Sequence, residues 1–195
     1  MKLALLLACA IALSLPTIGH TDEYNTVQSD KSTLTFGFKQ MGVSMNGKFK
    51  KFDVQMNFDP ANLIASKAQF NLDLVSIDIG SDEGNDEVIG KQWFNVKAFP
   101  KASFTSNSIK SLGGNRYEVS GPLTIKGHTK IVTTSANMTI SGKTASFDGA
   151  FVILRTDYNI GEGAWSSVDI VANEIQIKFH LLASVGKSVL AGNQR

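Results

Sequence analysis

Apolar side chains fall at every second position along most of this chain. The last such run places Ile175, Ile177, Phe179, Leu181 and Ala183 on one side, with Gln176, Lys178 and His180 between them. Phe52, Val54, Met56 and Phe58 repeat the pattern. So do Ala68, Phe70, Leu72 and Leu74, then Tyr117, Val119, Gly121, Leu123 and Ile125, then Ala145, Phe147, Gly149, Phe151 and Ile153. Successive side chains of a strand point to opposite faces, so a period of two predicts half-buried antiparallel strands. Runs near ten residues would each extend about 33 Å, longer than the usual strand.

Read in order, the pattern predicts strands over Tyr24 to Gln28 and Ser32 to Gln40, a loop bracketed by Gly42 and Gly47, and a strand from Lys48 to Phe58 that ends at the Asp59 and Pro60 turn. The next run, Lys67 to Ile79, slips at Val75, which predicts a β-bulge. Ser81 to Gly90 breaks the rhythm. It is acidic, Ser81 can cap it, and Val88 and Ile89 give it an apolar patch, so a short helical segment is expected over one end of the fold. Further strands follow at Ala102 to Ser111, Arg116 to Ile125, Thr129 to Ile140, Thr144 to Leu154 and Asn173 to Ala183, with a long loop from Thr156 to Val171. Short turns and no helix long enough for a parallel crossover predict an all-β class: an extended, eight-stranded, antiparallel up-and-down barrel. Eight strands is also the size at which a barrel can hold one small ligand.

Composition changes this picture in three places. Lys2, the apolar run Leu3 to Leu15 and the small residues after Pro16 read as a secretory signal peptide over residues 1–19, so the mature domain is expected at 20–184, with a flexible tail at 185–195. The single cysteine, Cys9, lies inside that signal; disulfides and thiolate metal sites are then unavailable to the mature chain. The formal net charge of +2 is spread along the polar faces of strands, which gives no nucleic-acid footprint.

Three segments depart from the strand rhythm: WFNVKAFPKASFTS at Trp93 to Ser106, GNRYEVSGPLTIKGHTK at Gly114 to Lys130, and RTDYNIGEGAW at Arg155 to Trp165. With the opening SDKSTLTFGFKQMGVSMNGKFKKF, Ser29 to Phe52, they resemble the YceI family of bacterial periplasmic proteins over essentially the whole mature chain. The resemblance implies a lipocalin-like barrel, a periplasmic location, and binding of a polyisoprenoid or other long-chain amphiphile in an apolar tunnel. A homodimer, known within the family, is also implied, and transient membrane contact is a further expectation. Two stretches differ. Gln40, Met41 and Gly42 stand where many members carry H-M-G, and Asn85 to Ile89 stand where many carry R-D-x-H-L. Those changes remove a charge and two imidazoles, so headgroup contacts should differ from those of isoprenoid-diphosphate binders. A neutral quinone or a fatty-acid derivative then joins the candidate cargo.

The residues expected to line the tunnel are Phe36, Phe38, Phe49, Phe52, Met56, Phe58, Phe70, Leu72, Phe104, Phe147, Phe151 and Phe179. Periodicity alone fits an ordinary packed core equally, because it says which face is apolar and not what that face meets. Trp93 and Phe94, beside the helical segment, are candidates for a lid; Arg155 and Tyr158 are candidates for headgroup contacts at the rim. No catalytic, metal or cofactor site is expected: His20, His128 and His180 show no metal spacing or triad order, and Asp82, Glu83, Asp86 and Glu87 read as a solvated acidic turn. The expectation is a lipid-binding carrier. The alternative from another class is an envelope interaction or stress-response protein with a solid barrel.

Overall fold

In a computed structural model, which describes residues 22–186, the chain is mostly β with one short helix. The strands in chain order are β1 (Tyr24–Val27), β2 (Thr33–Gln40), β3 (Val43–Phe49), β4 (Phe52–Asn57), β5 (Lys67–Asp73) and β6 (Ile77–Asp78). The helix α1 (Asp82–Val88) comes next. It is followed by β7 (Lys101–Thr105), β8 (Ser108–Gly113), β9 (Arg116–Ile125), β10 (His128–Ser141), β11 (Thr144–Leu154) and β12 (Glu174–Val185). All pairings are antiparallel within one curled, 12-stranded sheet, ordered β4-β5-β7-β9-β10-β11-β12-β2-β3-β6, with β1 on β12 and β8 on β9. The expected signal peptide, and residues 187–195 of the expected tail, lie outside the described residues.

The expected eight-stranded up-and-down barrel is therefore corrected to a curled half-barrel of more strands, and the reason for the higher count is a change of phase that the runs contain. Buried positions are odd at Phe49 and even at Val54, Met56 and Phe58, so a strand cannot pass from one set to the other without a break. The break falls at Lys50 and Lys51, whose amides donate to the carbonyl and hydroxyl oxygens of Ser76 at 3.1 and 3.0 Å. A second change separates Leu74 from Ile77. Here a single 3-10 turn, Leu74–Ser76, absorbs the shift in place of the expected bulge, with the Asp73 carboxylate accepting from the Val75 amide. A third separates Ala102 and Phe104 from Ile109, and the buried Ser106 sits between β7 and β8. The segment between Gly42 and Gly47, expected as a loop, is the start of β3, which pairs with β2 from Val43 to Phe49.

The helix forms as expected. Ser81 caps it, its hydroxyl accepting from the Gly84 amide at 3.2 Å, and Asp82 and Glu83 sit in the first turn, where the helix dipole favours negative charge. The Asn85 side chain accepts from the Ile79 amide at 2.8 Å and ties the helix to the strand before it. Val88 is its buried residue. No helix among the described residues is long and apolar enough to cross a membrane.

Two hydrophobic clusters line the concave side. One groups Phe36, Phe49, Leu74, Ile77, Val88 and Trp93 near α1; the other groups Val54, Met56, Phe58, Tyr117, Met138 and Phe147 at the opposite end. Edge-to-face contacts order the second cluster: the Phe58 ring lies 4.9 Å from Tyr117 and 5.1 Å from Phe147. Backbone hydrogen bonds between Tyr24 and Phe58 tie β1 to the residue just beyond β4.

Candidate functional site

The concave side is not packed solid. A cavity of about 360 Å³ lies under α1 and the 156–171 loop, and a second of about 150 Å³ lies in the other cluster. Phe49, Ile125, Ile153 and Ile177 line both, which makes them the waist between the two spaces. Each sits on a different strand, and each is inward-facing because of the period-two pattern. The wall of the second cavity is apolar, with Thr134 its one residue of polar type besides Tyr117. Charged groups gather only at the first: Glu83, Glu87 and Arg155 contribute to its wall with Gln40, and both glutamates are exposed at its outer rim.

Glycines set the width of the cavities. Gly149 is paired with Phe179, whose ring lies across it; a Cβ there would come within 2.3 Å of Cζ of that ring. Gly47 pairs with Phe36 in the same way, again at 2.3 Å. A phenyl ring laid flat over a strand glycine leaves the cavity open where an upright ring would fill it.

Of the residues expected at the site, Phe36, Phe38, Phe49, Trp93, Phe94 and Arg155 line the first cavity. Phe49 again, Met56, Phe58, Phe70, Phe104, Phe147, Phe151 and Phe179 line the second. Phe52 and Leu72 line neither: Leu72 packs on the cluster near α1 and Phe52 on the other. Tyr158 is buried in the first cluster and also lines neither cavity; burial, with the Asp157 charge adding to it, pushes its hydroxyl up to about 12.

Arg155 is fully buried, and every guanidinium nitrogen faces a backbone carbonyl. Nε donates to Val171 at 3.1 Å, Nη1 to Ile160 and Gly161 at 2.8 and 3.0 Å, and Nη2 to Trp165, Ser167 and Val171 at 2.9, 3.1 and 2.9 Å. Burial lowers its pKa from the ordinary value, yet a guanidinium holds its proton in proteins. Its place on the wall comes from packing; its donors hold the 156–171 loop in shape. Lys126 adds a second strap, donating from Nζ to the Asn159 carbonyl at 2.6 Å and to Glu162 at 2.7 Å. That contact holds the Glu162 carboxyl below its usual range.

Residues that the sequence pattern did not single out complete the first cavity. Trp165 packs against Trp93 with ring centroids 5.4 Å apart and planes inclined by 54°, and its indole N–H donates to Glu87 at 2.7 Å, closing the gap between the loop and α1. The signal available for Glu83 and Glu87 was their spacing: residues four apart on a helix share a face. No group of three or more potential metal ligands occurs among the described residues. His180 instead pairs with Asp148 at 2.6 Å, and His128 meets the Asn159 amide at 3.1 Å.

The fold is a curled antiparallel sheet around two largely apolar cavities. The YceI-like domain family matches residues 25–183, and the chain belongs to that family. Among curated relatives, Protein YceI of Salmonella arizonae is 33% identical over 134 residues, covering 65% of this chain and 70% of the relative. A UPF0312 protein of Vibrio cholerae is 27% identical over 178 residues, covering 87% and 94%. Among solved structures, BcnA of Burkholderia cenocepacia superimposes with a TM-score of 0.79 at 45% identity, covering 81% of this chain and 99% of that one. A domain of Saccharophagus degradans described as polyisoprenoid binding shares the fold, with a TM-score of 0.66 at 17% identity over 86% of this chain and 100% of that one.

Proposed function

We propose that the protein is a non-enzymatic periplasmic carrier that holds one long-chain apolar lipid, a polyisoprenoid or a related alkyl amphiphile, across both cavities. The observation that carries this reading is the waist of Phe49, Ile125, Ile153 and Ile177, four residues shared by the walls of a partly polar outer chamber and an apolar inner one. In this reading the curled sheet works as a lipocalin-like barrel. Its seam is β1, paired with β12 on one side and bridged to Phe58 on the other. The tail supplies the affinity: each methylene removed from water contributes about 0.8 kcal/mol. Such a force barely separates one tail from another. Specificity then rests on tunnel length and on the polar outer chamber.

The leader-like run Leu3 to Leu15 supports export to the periplasm. Exposed Met41, Val43, Val168 and Ile170 support transient contact with a membrane. They surround the point where the Met41 amide bonds the Ile170 carbonyl, next to Gln40 and Val171 of the outer cavity wall. Native mass spectrometry of protein isolated with its own cell envelope tests the proposal. One lipid mass per chain, lost on solvent extraction, is the expected result. An unchanged protein mass before and after extraction would favour a ligand-free envelope interaction protein instead.

A further inference from the structure

The ladder between β10 and β11 is incomplete. Their register runs from Ser141↔Thr144 to Ser135↔Ala150 and stops there, although both strands go on. Beyond that point β10 keeps its pairing with β9 as far as His128, and β11 keeps its pairing with β12 as far as Leu154. Ile131–Thr134 and Phe151–Leu154 therefore flank a break in the sheet, each held only by the strand on its far side.

The break is closed at both ends. Where the ladder stops, the Thr134 hydroxyl donates to the Ala150 carbonyl at 3.2 Å. At the other end, the turn that follows β11 is tied back to the start of β10: Lys130 Nζ lies 3.9 Å from the Asp157 carboxylate, and His128 Nε2 meets the Asn159 side-chain amide at 3.1 Å. Between these ties is a window about 13 Å long at the rise of a strand residue. Main-chain groups that a ladder partner would satisfy must find water there, so the gap is solvated rather than packed.

The window gives onto the inner chamber. Val132 and Thr134 on one side, and Phe151 and Ile153 on the other, line that cavity, which is not a sealed void. The residues that alternate with them point outward, and three are apolar: Ile131, Val152 and Leu154 are 65%, 53% and 40% exposed. Continuing the register would set Ile131 opposite Leu154 and Thr133 opposite Val152. Apart from two threonines, every residue of both stretches is apolar, so a greasy surface runs from the cavity wall through the sheet to its convex face.

Resting on the lipid-carrier reading, we propose that this window is a side exit for the tail of the cargo: an alkyl or prenyl chain too long for the inner chamber passes between β10 and β11 and lies along Ile131, Val152 and Leu154. The protein then accepts chains longer than its cavity, because the surplus leaves through the wall while the end group keeps its place at the outer rim. A chamber closed at that point would set an upper length instead.

Two straight-chain alcohols with a photoreactive diazirine on the terminal carbon test this, one just long enough to fill the inner chamber and one markedly longer. After irradiation, peptide mapping by mass spectrometry is expected to find the shorter probe on inner-wall residues such as Phe58 and Phe147, and the longer one on Ile131, Thr133, Val152 or Leu154. In C9S/T133C/V152C, which also removes the single native cysteine, the two outward-facing thiols can be joined by a bifunctional reagent after folding. Joining them should abolish labelling of Ile131 and Leu154 by the longer probe and leave the shorter probe on the inner wall. Label from the longer probe that stays on the inner wall, that falls on Met41, Val168 or Ile170 beside the outer chamber, or that persists on Ile131 and Leu154 once the window is bridged would overturn the proposal and leave the carrier reading standing. Failure of both probes to bind wild type would overturn both.

Discussion

Gly149 shows how much a single missing Cβ decides. Phe179 lies flat across it, and the added methyl of G149A would sit 2.3 Å from Cζ of that ring and 2.7 Å from the Ser135 carbonyl, so ring or strand must move. Overpacking of this kind costs about 1–3 kcal/mol; an unfolding free energy from chemical denaturation lowered by that amount is the expected outcome. Arg155 is the second residue on which local structure turns. Its planar fork satisfies carbonyls of five loop residues from Ile160 to Val171, and a lysine reaches them with a single point charge. R155K should lose about 3 kcal/mol or more of stability, because the carbonyls left behind are buried. Hydrogen exchange should then quicken across residues 156–171 before it does in β10 and β11. The alternation of the sequence could not show this use of Arg155, since a motif names a residue and not the direction of its donors.

At the scale of elements, the phase of the apolar pattern was more informative than its period. The same period of two runs through 48–58, 67–79 and 102–111, and each stretch changes phase once. Reading each as one strand gives nine runs, close to the expected eight; honouring each change adds the breaks at Lys50–Lys51, Leu74–Ser76 and Ser106–Asn107 and gives twelve. The helix α1 was legible because capping and composition are local, whereas the contact of Trp165 with Glu87 spans 78 positions and leaves no trace in spacing. That contact is the latch between α1 and the 156–171 loop. Replacing the donor in W165F should leave the fold intact and speed release of a bound lipid by roughly five-fold, the factor that one lost hydrogen bond corresponds to. Stopped-flow displacement of a fluorescent alkyl probe measures that rate. An unchanged rate would assign the opening to another segment.

For the whole molecule, the pattern said which face of the sheet is apolar but not whether the facing strands would meet. Phe70, Phe104, Phe151 and Phe179 are inward-facing yet only half-buried, because they look into space that no side chain fills. The family resemblance, and not periodicity, pointed to a tunnel. Space of this kind is unusual in a protein interior, where packing normally leaves few voids larger than a water molecule. Flat-lying rings over Gly47 and Gly149, with the Arg155 and Lys126 straps holding the loop off the cavity, keep it open in this fold. In a lipid carrier of this build the two cavities act as one channel for one chain. Calorimetric titration with a series of uncharged amphiphiles of increasing chain length tests that most directly. The affinity should rise with each added methylene, by up to about 0.8 kcal/mol apiece, and level off once the tail has passed the waist and filled the inner chamber. An affinity that does not depend on chain length would contradict it.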